Sequence, residues 1–133
     1  MFYELMSTLD KTRTKGQIEA EITSAITQFF RDLLGRGPKG ARTYLVQDMV
    51  LVRITGVLNA AEELLVASDG GIHLFKSMRQ RLVECSSDRI RSIVEDSTGA
   101  IMVSLHTDMS TQTGERVLLI TLDRNVEEMF RPQ

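Results

Sequence analysis

The fold is decided between residues 41 and 55, Ala41-Arg42-Thr43-Tyr44-Leu45-Val46-Gln47-Asp48-Met49-Val50-Leu51-Val52-Arg53-Ile54-Thr55. Two runs rich in β-branched and aromatic side chains flank a polar pair, which is the pattern of an antiparallel hairpin turning at Gln47-Asp48. A two-residue turn sets Val46 opposite Met49, and strand alternation then sorts the side chains onto two faces. Ala41, Thr43, Leu45, Val50, Val52 and Ile54 make the better core face. Arg42, Tyr44, Val46, Met49, Leu51 and Arg53 make the other, which is too apolar to stand fully in water and too charged for an ordinary core. Its middle needs a cover.

Upstream of this hairpin, Ile18, Ile22, Ile26, Phe29, Phe30 and Leu33 recur at spacings of three and four, a helical stripe over 15–34. Thr14 and Gln17 have the capping-box form, and Gly35, Gly37 and Pro38 end the helix. Downstream, Asn59 with Glu62 opens a short helix after Gly56. Gly70-Gly71 separates it from a longer apolar periodicity over 72–97, weakened at Ser86-Ser87-Asp88, where a break is expected. Beyond Gly99, the runs 100–106 and 116–122 alternate as a second hairpin joined by 107–115, and 125–130 suits a last helical turn.

Helix, hairpin, helix, hairpin is the order of an α+β fold: a four-stranded, mainly antiparallel sheet with its two long helices on one face. Strand order stays open at this level. The expected organisation is a single α+β domain over 14–123, an N-terminal extension over 1–13 and a C-terminal tail over 124–133. In the extension, Phe2, Tyr3, Leu5, Met6 and Leu9 form a loose apolar face that either docks or stays partly disordered. With helices on one side only, Tyr44, Val46, Leu51, Met102, Val117 and Leu119 are expected to project from the bare face. A patch that apolar marks an interface, so a homodimer through sheet faces or edges is the economical expectation.

Composition narrows the function classes. The chain has 133 residues, 42% apolar and 26% charged, which suits one folded domain rather than a disordered segment. Sixteen Lys and Arg against eighteen Asp and Glu leave a net charge of -2, which argues against general nucleic-acid binding. The single cysteine, Cys85, cannot close an internal disulfide, so a reducing cytoplasm is the expected location. No apolar run is long enough to cross a bilayer and no signal pattern opens the chain, so direct membrane insertion is not expected. With only His73, His106 and one Cys available, no metal site and no cofactor is expected.

The densest polar cluster is His106-Thr107-Asp108-Met109-Ser110-Thr111-Gln112-Thr113-Gly114-Glu115. His106 and Asp108 lie two apart, so in a strand they share a face, where a carboxylate can orient an imidazole for proton transfer. The plainer reading is favoured: Ser, Thr and Gly build turns, and Thr113-Gly114 suits a left-handed glycine near a bulge. No Gly-x-Ser-x-Gly elbow supports a hydrolase. Gly35-Arg36-Gly37-Pro38-Lys39-Gly40 is a basic, glycine-rich loop whose Gly37-Pro38-Lys39-Gly40 matches the GxxG of KH modules. It joins a helix to a strand rather than two helices, so capping and chain reversal explain it better, with Arg36 and Lys39 left to meet an acidic partner. Arg79, Arg81, Arg89 and Arg91, interleaved with Glu84, Asp88, Glu95 and Asp96, read as a solvated helix face.

Several motifs in order resemble one known family. They are Lys15-Gly16-x-Ile18-Glu19-x-Glu21-Ile22, then Gly35-Arg36-Gly37-Pro38, then Asp48-Met49-Val50-Leu51-Val52-Arg53 with Gly56-Val57-Leu58. Thr98-Gly99 follows, leading into His106-Thr107-Asp108-Met109-Ser110-Thr111-x-Thr113-Gly114-Glu115-Arg116-Val117. Over about 14–123 the chain resembles the MpsC-like family, formerly a domain of unknown function, whose most specific motif is that last loop. The resemblance implies association with a sodium-translocating, membrane-potential-generating system linked to inorganic-carbon uptake; it brings no catalytic residues. The combined expectation is a non-enzymatic, dimeric binding or regulatory module, accessory to a membrane ion or bicarbonate transport system and peripheral to the membrane through a partner. Its binding residues are expected to be His106, Asp108, Ser110, Thr111, Arg36 and Arg42. The alternative is a small-anion sensor or enzyme with His106 as acid or base, Asp108 as its orienter and Arg36 or Arg42 as anion clamp. A third, RNA binding through Arg36, Lys39, Arg42 and Arg53, predicts steep salt dependence.

Overall fold

The structure, a computed structural model, describes residues 13–56 and 58–130. The apolar segment 2–9 singled out above lies outside them. Helix α1 spans Lys15–Leu34 and starts on a complete capping box: the Thr14 hydroxyl accepts from the Gln17 N–H at 3.1 Å, and the Gln17 side chain accepts from the Thr14 N–H at 2.8 Å. Gly35 ends it in the left-handed region at φ 80°. Strands β1 (Gly40–Val46) and β2 (Met49–Thr55) follow, with Val46 opposite Met49 as the two-residue turn requires. Gln47 supplies the positive φ of that turn, at 57°, without being glycine.

Helix α2 (Ala60–Val66) opens on a second capping box between Asn59 and Glu62. The long apolar periodicity divides at Ser86 into α3 (Gly71–Cys85) and α4 (Ser87–Thr98), the break that its serines and Asp88 imply. Strands β3 (Met102–Met109) and β4 (Arg116–Leu122) form the second hairpin, and Glu127–Phe130 makes a 3-10 turn.

All strand pairs are antiparallel, in the order β1-β2-β4-β3. The seam between the hairpins is therefore β2 against β4, with Leu51 opposite Leu119. Ile18, Ile22, Ile26, Phe29 and Phe30 of α1, Phe75 and Val83 of α3, and Ile90 and Val94 of α4 join Leu45, Val50, Val52, Ile54, Leu118 and Ile120 in one buried cluster. The helices thus cover one sheet face, and the fold is α+β.

Two expectations need correction. The third strand is shifted: β3 runs from Met102 to Met109, so Thr107 and Asp108 join His106 as paired strand residues and the loop shortens to 110–115, while β4 keeps the expected bounds. Met102 does not project from the bare face; it is buried in the core. The register slips between Met102 and Ser104, and such an irregularity reverses the alternation on which the face assignment rested.

Candidate interaction surface

The sheet face left uncovered among the described residues is built from three rows of register partners. Tyr44, Leu51, Leu119 and His106 make the middle row. Arg42, Arg53, Val117 and Asp108 lie toward the loop end, and Val46, Met49, Thr121 and Ser104 toward the other. Tyr44 and Val46 are exposed at 37% and 40%, while Leu51, Val117 and Leu119 are half-buried by their neighbours alone. The Arg42 guanidinium lies 5.6 Å from the centre of the Tyr44 ring. Arg53 donates to Glu115 at 2.7 Å.

The predicted site residues divide into groups. On β3, the Asp108 carboxylate accepts from the Met109 N–H at 2.8 Å and pairs with Lys76 of α3 at 3.1 Å. The backbone N–H, with Lys76 second, holds it below the ordinary carboxylate range. His106 shares its face as predicted, with its Nε2 3.1 Å from the Ser104 hydroxyl. Ser110 is spent on the turn: its hydroxyl accepts from the Thr113 N–H at 3.3 Å and its carbonyl from the Gly114 N–H at 2.8 Å. Thr111 is half-buried in that loop, and Gly114 takes the predicted left-handed conformation at φ 73°.

Arg36 sits at the same end of the sheet, because β1 begins and β2 ends where β3 ends and β4 begins. There it walls a cavity of about 70 Å³ together with Pro38, Asn59, Glu62 and Arg79. Arg42 does not join His106 and Asp108. It is on the opposite edge strand, three strand spacings or about 14 Å away across the sheet.

Sequence reasoning missed two arginines. Arg79, read as part of a solvated face, is 3% exposed; its Nε donates to Glu62 at 2.9 Å and its guanidinium lies 5.2 Å from the Phe75 ring centre. Arg116 is 2% exposed and donates to the Thr107 hydroxyl at 2.7 Å. Burial, with the Arg79 charge second, pushes its pKa down to about 10, against the opposing pull of Asp108. Both sit at core positions of an apolar pattern. Arg79 lies one helical turn from both Phe75 and Val83, and Arg116 alternates with Leu118, Ile120 and Leu122. Among the described residues no group of three or more His, Cys, Asp or Glu is placed to hold a metal ion.

A four-stranded antiparallel sheet backed by helices on one face is the build of an α+β protein. Residues 14–124 match the family model described as Na+-translocating membrane potential-generating system (MpsC), and the chain belongs to this family. It is similar to uncharacterized protein YbcI of Bacillus subtilis (strain 168), 38% identical over 116 residues that cover 87% of this chain and 94% of that one. It is also similar to uncharacterized protein YrhF of the same strain, 25% identical over 109 residues, covering 81% and 89%. No solved structure matches it significantly. Among the described residues no helix is long and apolar enough to cross a membrane.

Proposed function

We propose that the chain is a non-enzymatic binding module, an accessory of an ion-translocating, membrane-potential-generating system, working on the cytoplasmic side and reaching the membrane through a partner. The family supplies the system; the geometry supports the manner of action. The carrying observation is that His106 and Asp108 stand on an exposed sheet edge with Arg42 at the far edge, whereas acid–base chemistry on a bound anion needs its groups around one pocket. The working surface is taken to be the loop end of the sheet, which carries Arg36, Lys39 and the 110–115 turn.

Affinity capture from a native lysate with its membrane fraction retained tests this reading. The wild-type chain is expected to bring down integral membrane subunits of an ion-transport complex, identified by mass spectrometry. The charge-reversed loop R36E/K39E is expected to lose them while keeping its circular dichroism spectrum. Capture without ion-transport subunits, or equal capture by the reversed loop, overturns it.

A further inference from the structure

We infer that the bare sheet face is covered by a second copy of this chain, the two sheets stacking face to face about a two-fold axis parallel to the strands. Three observations select that occupant and that axis.

Edge-to-edge pairing is hindered at one position on each edge strand. On β1 the Leu45 N–H donates to the Glu19 carboxylate of α1 at 2.8 Å. On β3 the Met102 N–H donates to Glu95 of α4 at 2.8 Å, the Met102 carbonyl accepts from Arg91 at 3.3 Å, and the register is irregular beside it. Edges with backbone groups capped and ladders bent are poor templates for another strand. The face itself is the association surface that remains.

Its centre is apolar, and Leu51 and Leu119 straddle the seam. A two-fold axis along the strands at that seam lays β2 of one copy over β4 of the other, so Leu51 meets the second copy's Leu119. Sheets stacked in this way sit about 10 Å apart with strands aligned within about 30°, which interdigitates such side chains.

The charges are antisymmetric across the face. Arg42, on one edge strand, makes no ion pair among the described residues; Asp108, in the same row on the opposite edge, keeps a side chain 75% exposed although one of its oxygens already meets Lys76 and the Met109 N–H. The same axis places Arg42 over the second copy's Asp108, twice by symmetry. An axis across the strands would instead set Arg42 and Arg53 over Val46 and Met49, leaving both cations on apolar ground.

Sedimentation velocity at high micromolar concentration reads the outcome. The wild-type chain is expected at twice its 15.0 kDa mass. R42E sets like charges opposite Asp108, and D108R sets them opposite Arg42, so each alone is expected to self-associate at least about tenfold more weakly. Mixed in equal amounts, they are expected to recover the dimer, because each chain then offers what the other lacks. A monomeric wild-type chain, an undiminished R42E dimer, or a mixture no tighter than its components overturns the inference. Membrane capture is read with R36E/K39E, whose residues precede β1, and self-association with R42E and D108R, whose residues lie on the strands, so either proposal can fail without the other.

Discussion

Two buried guanidinium groups, Arg79 and Arg116, share one end of the core, where the Glu62 carboxylate is bonded to Arg79. Arg116 carries the cost. Its folded pKa of about 10 lies below the ordinary arginine value, so between the two the unfolded chain binds the extra proton and stability rises with pH. Below about pH 10 the group is charged in both states and the penalty is constant. Replacing the charge with an apolar side chain of similar length, R116M, is expected to raise unfolding free energy by about 1–3 kcal/mol in urea titration at neutral pH. E62A is expected to lower it by about 3 kcal/mol, because it takes the Glu62 carboxylate from the buried Arg79 and removes half of the second capping box. The opposite signs separate removal of a buried charge from removal of its partner. At this scale the sequence was only partly legible. His106 and Asp108 were placed on their common face, but no local signal tells whether an arginine in an apolar pattern bends out to water or stays inside. Arg89 shows the other outcome: with the same composition around it, it lies 5.3 Å from the Phe29 ring centre and reaches out to Asp32 at 2.6 Å.

Elements with chemical punctuation were the ones read correctly. Both capping boxes, the glycine stops at Gly35 and Gly99, and the Gln47-Asp48 turn depend on residues adjacent in sequence. The irregularity in β3 depends on pairing with β4, and the alternation rule cannot foresee it. Gly71 has a different role that only tertiary packing explains. It opens α3 so close to α2 that an added Cβ would fall 1.7 Å from the Leu65 carbonyl oxygen, an impossible approach to backbone. G71A is therefore expected to push α2 aside and cost about 2–4 kcal/mol. Because α2 buries no residue fully, hydrogen exchange is expected to show lost protection confined to 60–71 while the sheet keeps its own.

For the whole molecule, acid is the informative variable. Asp32, held by Arg89, Asp108, held chiefly by the Met109 N–H, and Asp123, held chiefly by the Ile101 N–H, all ionise below their ordinary value of 3.8. A depressed carboxylate stabilises the fold fully above its unfolded pKa and loses that contribution as pH falls through the folded value. The melting temperature is expected to stay nearly level down to about pH 4 and to fall below it. D123N, which weakens the tie between Asp123 and the start of the last hairpin, is expected to flatten that fall in a calorimetric pH series. The order of the strands was beyond reach of the sequence for a related reason: nothing local says which ribbon edge meets which.

The β2–β4 seam also governs how the chain reaches this state. Each ribbon closes through its own short turn, while the seam joins positions roughly sixty to seventy residues apart, a far larger entropic demand on an unformed chain. Loop-closure entropy therefore predicts that the seam closes after the two ribbons, so substitutions at Leu51 and Leu119 are expected to change the unfolding rate more than the folding rate if it closes late. Until it closes, each ribbon offers an unpaired inner strand, and any crowding of nascent copies is most hazardous during that interval.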